Sequence, residues 1–390
     1  MLRKVLSTLM VLIIIALFAL TWYSSQTTEK LFTEQVEVIN RAYPQLLEIK
    51  IDQYQRKLFT SQARTTVKMP EQEIALNHQI RHFIWGLTIT STLAEGSEFS
   101  SAIVQQIPLE QLALISQVNF KGDISSRFSL PEGKFTLAGQ TIAVTGLALG
   151  WEQGDELSAG QAEFRMEQLA LGVDQRRTEL SDVLVQSNSV LTEDNCANTT
   201  SIRFSRLLLA EEELLNGQMT FSLADISMKA LRALQNSALE VQAQGISPQP
   251  SSMSFQLLGL YSELLQSGLS LRLEELSLET AEGKMNAAGA LIFEPTDEIL
   301  AALLTLSHIS AQLQIKLDSD VFKTGYRLLN RTQDDEQRNV TVAVLNKEAG
   351  QVARDLVQKG IFVEQPGSDQ FSVNFSLSEG QAILNGKALN

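Results

Sequence analysis

Histidine, cysteine and paired carboxylates are the side chains that could carry chemistry in this chain, and it holds only three His and one Cys. His78 and His82 stand four residues apart, a spacing that on a helix brings two imidazoles to one face. A zinc site needs more ligands than that. No Cys or third His lies near them in sequence, so packing or surface roles are expected, and the flanking QIRHFIWGLTITS reads partly as strand. Carboxylates are plentiful, but the densest run, Asp334-Asp335-Glu336, lies between Arg331 and Arg338 in a polar stretch, where a solvated turn is the ordinary explanation. Arg176-Arg177 reads as an exposed loop on the same grounds. Cys196, in TEDNCANTT, reads as part of a polar loop; as the single cysteine it forms no intrachain disulfide, and it is either inert or an exposed thiol able to link two copies. The chain has no G-x-S-x-G elbow, phosphate loop, H-E-x-x-H or paired C-x-x-C. No catalytic residue, metal ligand or cofactor is therefore assigned. Asn198-Thr199-Thr200 and Asn339-Val340-Thr341 match the glycosylation sequon, a pattern frequent by chance.

The elements that must position these residues begin with Val5 to Tyr23, nineteen residues without a charge, which is the length a membrane-crossing helix requires. Arg3 and Lys4 precede it and Trp22 and Tyr23 close it, so the expectation is a single-pass anchor with a cytoplasmic N-terminus and an exported body. A cleaved signal peptide is the competing reading, and Leu17 to Trp22 offers only a poor cleavage site. Without Arg3 and Lys4 the body carries 29 basic against 45 acidic residues. That balance repels nucleic acid.

Between Glu29 and Tyr43, Phe32, Val36, Ile39 and Tyr43 form one helical stripe ended by Pro44. This predicts a short helical stalk, packed either on the body or on a second copy. Beyond Pro44 the period becomes two: Leu47, Ile49 and Ile51 alternate with charged residues, as do Leu313, Ile315 and Leu317 with Gln and Lys, and Phe371, Val373, Phe375 and Leu377 with Ser and Asn. One wet and one dry face imply antiparallel sheets.

Two short patterns recur. Glu-Gly-[Lys/Gln] with a later Gly appears at Glu132-Gly133-Lys134, Glu282-Gly283-Lys284 and Glu379-Gly380-Gln381, and each is expected to be a hairpin tip. An Arg-led pattern begins at Arg165, Arg203 and Arg272; in the last copy the apolar phase changes between Leu273 and Leu276, which predicts a β-bulge at Glu274-Glu275. Helices are expected after Thr296, over Ala224 to Leu239 and over Lys347 to Lys359, the last with Gly360 as its cap. The expected fold is α+β, mainly β with several helices: an N-terminal transmembrane helix, a helical stalk, then extended antiparallel sheet built from repeated hairpins. The expected divisions are 1–25 for tip and anchor, 26–44 for the stalk, and strand-rich regions at 45–240 and 241–390.

Several stretches resemble the YdgA-like family of bacterial envelope proteins. Tyr54-Gln-Arg56-Lys57-Leu-Phe59-Thr-Ser61 is similar to that family's early Tyr-x-Arg-Gly-x-Phe-x-Ser strand, with Lys57 in place of glycine. LGLYSELLQSG followed by LSLRLEELSLETAEGKMNAAGALIF resembles its later module, with the Thr-x-x-Gly turn at Thr280 to Gly283, and FSVNFSLSEGQAILNGKAL fits its end. The family's His-Gly-Pro segment stands here as His82-Phe-Ile-Trp-Gly86. The resemblance implies a body in the periplasm at the bacterial inner membrane and a non-enzymatic envelope role, with structural parts for Tyr54, Arg56, Phe59, Ser61, His82, Thr280 and Gly283.

Three functions are therefore expected in descending order: a scaffold or interaction protein, a carrier of lipid or another hydrophobic ligand on the dry face of a curved sheet, and a hydrolase using acidic residues. The partners that follow are the lipid bilayer through the N-terminal helix, a second copy or a periplasmic protein, and a lipid ligand.

Overall fold

The computed structural model describes residues 27–94 apart from 31, 35, 38–39, 42–46, 58, 70–71 and 84–85, and residues 112–227 apart from 120–122, 138–139, 154–159, 173–177, 193–194 and 210–211. It also describes residues 268–296, 307–330 and 341–389. The chain divides into two compact units: unit 1 comprises Met1–Phe135, Ala148–Gly160 and Asn236–Pro248, and unit 2 comprises Thr136–Leu147, Gln161–Gln235 and Gln249–Asn390.

In unit 1 the alternation seen in the sequence becomes an antiparallel meander. Strands β1 (Glu48–Arg56), β2 (Thr60–Met69), β3 (Gln72–Phe83), β4 (Gly86–Leu93), β5 (Ala113–Asn119) and β6 (Ile124–Leu137) each pair with the next. Because side chains alternate across a strand, register decides which residues share a face. Ala63 opposes His78, which opposes Ser91, while Ser61 opposes Ile80, which opposes Ile89; these lie on the covered face, where Ile80 is wholly buried. The opposite face carries Gln62, Gln79 and Thr90. Helical residues 27–30, 32–34, 36–37 and 40–41, together α1, lie on the covered face. Its Phe32 ring sits 6.0 Å from Tyr54 and 5.6 Å from His78, and the Asn40 amide both donates to the Ile49 carbonyl and accepts from the Ile49 N–H. Asn40 thus occupies two backbone groups on the outer edge of β1, as a further strand would. Of the two placements open to the helical stripe, the helix takes the one on its own sheet.

Strands β7 (Gln140–Gln153) and β8 (Gly160–Leu171) follow. In unit 2, β9 (Thr178–Leu191), β10 (Asn195–Leu209), β11 (Glu212–Ser227), β12 (Leu269–Glu279), β13 (Lys284–Phe293) and β14 (Ile309–Asp318) again pair in sequence order. β14 then pairs with β16 (Gln370–Ser378), which also takes β15 (Val363–Glu364) and β17 (Gln381–Leu384), and β17 pairs with β18 (Lys387–Leu389). Register aligns Ile202, Met219, Leu276, Ala287, Ile315 and Val373 across six strands. Helices α2 (Ser319–Asn330) and α3 (Val342–Gln358) form between β14 and β15. Their apolar sides close a core of Leu317, Ala353 and Phe371, against which Met285, Ile315, Phe322, Val357 and Phe362 pack. Phe362 stacks on Phe371 at 5.3 Å and Phe322 meets both rings edge-on.

The α+β expectation is corrected. Strands make up most of the described residues, and the three helices α1, α2 and α3 are short, because the pairing partners that most strands have on both sides outweigh local helix propensity. Ala224 to Ser227, expected as the start of a helix, belongs to β11, where Ala224 pairs with Ser270 and Ser227 with Asn195; the remainder to Leu239 lies outside the described residues. The expectation of a transmembrane helix is corrected too. Among the described residues no helix is long and apolar enough to cross a membrane, since α1, α2 and α3 are amphipathic pieces of 17 residues or fewer seated on sheets; Val5 to Tyr23 lies outside the described residues. The helix expected after Thr296 also falls outside them, whereas Lys347 to Gln358 is helical within α3. α2 was not foreseen.

Of the three expected hairpin tips, two form. Glu379 and Gly380 take φ of 52° and 75°, the left-handed pair that a two-residue turn requires, between β16 and β17. Glu282-Gly283 sits in the β12–β13 turn. At Glu132-Gly133-Lys134 the strand β6 runs straight through, and Gly133 takes no positive φ. The bulge at Glu274-Glu275 is present: Leu273 pairs with Gly289 but Leu276 with Ala287, so β12 fits two residues where β13 has one, Ala288.

Candidate functional site

The densest gathering of chemically capable side chains lies where α1 meets β1 to β4 in unit 1. His78 and His82 are on β3, a strand, so their i and i+4 spacing keeps them on one face but sets them about 13 Å apart. They cannot share a metal ion at that distance. Among the described residues no group of three His, Cys, Asp or Glu is arranged to hold one.

Each imidazole is instead held by two hydroxyls. His82 Nε2 lies 2.9 Å from Ser61 Oγ on β2 and its Nδ1 lies 3.2 Å from Thr28 Oγ1 on α1. His78 Nε2 lies 2.7 Å from Thr65 Oγ1 on β2 and its Nδ1 lies 2.8 Å from Ser91 Oγ on β4. A neutral imidazole has one N–H donor and one acceptor nitrogen, and a hydroxyl can play either part, so both rings are fully satisfied without charge. Burial makes that neutrality firm: it lowers the His78 pKa to about 4 and lowers that of His82 as well.

The family-motif residues collect around this pair. Tyr54 opposes Ala63, its ring takes the Phe32 contact, and burial pushes its phenol above the ordinary value; the hydroxyl is buried without a hydrogen bond of ordinary geometry. Arg56 opposes Ser61 and reaches Glu29 of α1 at 3.8 Å. The Phe59 carbonyl accepts from the His82 N–H at 3.0 Å, with the Phe59 side chain exposed. Tyr54, Arg56, Phe59, Ser61 and His82 are thus brought together, as five parts of the seat for one helix.

Thr280 and Gly283 stand apart from them, in unit 2. The Thr280 N–H donates to the Gly283 carbonyl at 2.8 Å, its hydroxyl donates to Asp320 Oδ2 at 2.8 Å, and the Gly283 N–H lies 3.1 Å from that hydroxyl. Asp318 accepts from the Lys284 N–H at 2.7 Å. A Cβ on Gly283 would stand 2.8 Å from Asp318 Cβ, so the glycine permits the β12–β13 turn to approach the start of α2. This is a joint between turn and helix.

Ser61, His82 and Thr28 have the outward form of a nucleophile, a base and an orienting group, but the chemistry differs. Ser61 has no exposed surface, and the group on Nδ1 is a neutral hydroxyl where a carboxylate would stabilise an imidazolium. The arrangement fixes a helix to a sheet. Asp334 to Glu336 and Arg176-Arg177 lie outside the described residues. Cys196 is in β10 and buried, which corrects the exposed thiol, and burial raises its pKa, leaving it a poor nucleophile. Asn198 is part-buried and donates to Ser187 and Ser189.

Sequence reasoning missed Thr28, Thr65 and Ser91 as histidine partners. One signal was available: Ser61, Thr65, His78 and Ser91 are polar residues occurring in the apolar phase of alternating strands. It also missed a part-buried ion pair in unit 2, where Arg327 of α2 forks onto Glu212 at 2.6 and 2.7 Å and donates to Asn346 of α3 and Thr324. The Glu212 carboxylate raises the Arg327 pKa further.

Fold and site together define a β-sheet protein whose strongest polar constellation is committed to holding its own helix. The chain matches, over residues 2–174 and 150–390, a family described as bacterial protein of unknown function (DUF945), and it belongs to that family. No curated protein and no solved structure matches it.

Proposed function

We propose that this protein is a non-enzymatic scaffold of the bacterial envelope, of the YdgA-like type within its family, with its body in the periplasm. The location rests on the resemblance of the Tyr54 to Ser61 strand and the Thr280 to Gly283 module. The role rests on one observation: His78 and His82 are saturated by the hydroxyls of Thr65, Ser91, Ser61 and Thr28, while the sheet face turned away from them offers hydrogen-bonding side chains to solvent. A hydrolase working through acidic residues would carry a carboxylate with a raised pKa in a cleft. The Glu279 carboxylate is instead held below its ordinary value by hydrogen bonds from Lys284 and Asn216. A lipid carrier would present an apolar groove, and two surface depressions among the described residues, one near Gln62 and one near Arg272, have mixed polar and apolar linings.

Native mass spectrometry of the full chain tests the reading. A protein partner or a second copy bound at fixed stoichiometry is the expected result. A monomer retaining lipid would overturn it in favour of the carrier, and an empty monomer would remove both.

A further inference from the structure

α1 meets its sheet through side chains, and two of those contacts end on an imidazole. Thr28 reaches His82, Phe32 lies on His78 and Tyr54, Glu29 faces Arg56, and Asn40 takes the Ile49 backbone. The strands beneath are joined far more firmly, by ladders running from Thr60–Arg81 to Met69–Gln72 and from Leu76–Leu93 to Phe83–Gly86. His78 adds to that bond, since its two hydroxyl partners, Thr65 and Ser91, stand on β2 and β4. If one part of this assembly must yield, it is the helix.

A proton on either ring forces that choice, because nothing around the rings answers the charge. From β2 and β4 they face the neutral hydroxyls of Ser61, Thr65 and Ser91. The titratable and charged groups turned to this face from β1 are Tyr54, a buried phenol, and Arg56, itself a cation. α1 contributes Glu29, which is partly exposed and turned to Arg56 at 3.8 Å; its other charged residues, Lys30, Glu34, Glu37 and Arg41, are exposed. Arg64 and Arg81 lie on the opposite face of the sheet by register. The hydroxyls can still accept from an imidazolium, so no hydrogen bond need break, and the cost is that of holding a charge away from water. Water is shut out on the helix side by Thr28, which is 2 % exposed, and by the Phe32 ring. Lifting α1 admits it without opening a ladder.

We propose that α1 is an acid-released cover. When His78 and His82 take up protons, it lifts from β1 to β4 as a unit, the strands stay paired, and the face carrying Ser61, Ala63, Ile80 and Ser91 opens to solvent. Raising the pH again closes it.

Hydrogen exchange of the full chain in mild detergent, corrected for the intrinsic pH dependence of the amides, tests this between pH 7 and pH 5. An imidazole held at about 4 in the seat and at 6.5 outside it favours the lifted state roughly 30-fold at pH 5. Protection of α1 is therefore expected to fall by about that factor, reversibly, while β2, β3 and β4 keep theirs. His78→Gln with His82→Gln retains a donor and an acceptor at each position but has no proton to gain, and the response of α1 is expected to vanish. Should that variant not fold, the carbon-13 shifts of the imidazoles in the unaltered chain decide, because their titration must share its midpoint with the loss of α1 protection. Full protection of α1 at pH 5, loss of β2 to β4 together with α1, or a release that precedes histidine protonation would each overturn the proposal.

Discussion

The two units attach helices to similar sheets by opposite means. Unit 1 holds α1 mainly with neutral groups: His82 lies between Thr28 of the helix and Ser61 of the sheet, His78, held by two sheet hydroxyls, takes the Phe32 ring, Asn40 completes the contact, and the one ion pair, Arg56 with Glu29, is exposed. Unit 2 holds α2 and α3 with an aromatic cluster and with Arg327, whose guanidinium gathers Glu212, Asn346 and Thr324. The difference teaches that the same sheet chemistry tolerates either a neutral or a charged fastening, and that the two must fail under different conditions. A buried charge fails when its counter-charge is removed; a buried neutral imidazole fails when it is forced to take a proton.

The largest expected effect comes from breaking the charged fastening. Arg327→Met leaves the part-buried Glu212 without its partner and is expected to cost unit 2 about 3–4 kcal/mol, whereas Arg327→Met with Glu212→Leu recovers most of it. Denaturant unfolding of the single and double variants measures both, and equal losses would mean that the pair is not what holds α2.

Next in size is the pH response of unit 1. The His78 pKa is lowered, so above pH 6.5 folded and unfolded chains are both neutral there and the contribution is fully present. As pH falls from 6.5 toward 4 the unfolded chain takes up a proton that the folded one refuses, and stability falls by up to about 3 kcal/mol. Amide exchange in α1 should therefore quicken across that window while α2 and α3, which face no buried imidazole among the described residues, hold steady. Uniform behaviour of the three helices would contradict the contrast.

The smallest effect is expected from Asn40→Ala, which removes two hydrogen bonds at the β1 edge and is expected to cost about 1 kcal/mol. Its signature is faster exchange of the Ile49 amide with no change in unit 2.

Much of the fold was legible because it is written in short-range pattern. Alternation at Leu47 to Ile51, Leu313 to Leu317 and Phe371 to Leu377 marked strands that do form β1, β14 and β16, and the phase change at Leu273 to Leu276 marked a bulge that exists. The same local rules failed at Glu132-Gly133-Lys134, where a turn-like triplet is carried through as strand, and at Ala224, where neighbours on both sides claim a segment of helix-like composition. α2 was missed although its stripe is present in the sequence, with Phe322, Tyr326 and Leu329 at steps of four and three; at 12 residues it is too short to be stable alone, and it packs on α3, β13 and β14.

The site was legible only in its parts. The motif residues Tyr54, Arg56, Phe59, Ser61 and His82 could be named from the chain, but not the helix they seat, since Thr28 and His82 are 54 residues apart and Arg327 and Glu212 are 115 apart. By itself the sequence determined the period of the strands, two of the hairpin turns and the bulge, because each depends on the sizes and φ preferences of a few adjacent residues. Only the tertiary structure decided that the two histidines lie on a strand and serve as neutral fasteners, and which polar faces are left uncommitted. Those outcomes depend on register and burial between distant segments, and local periodicity carries no information about either.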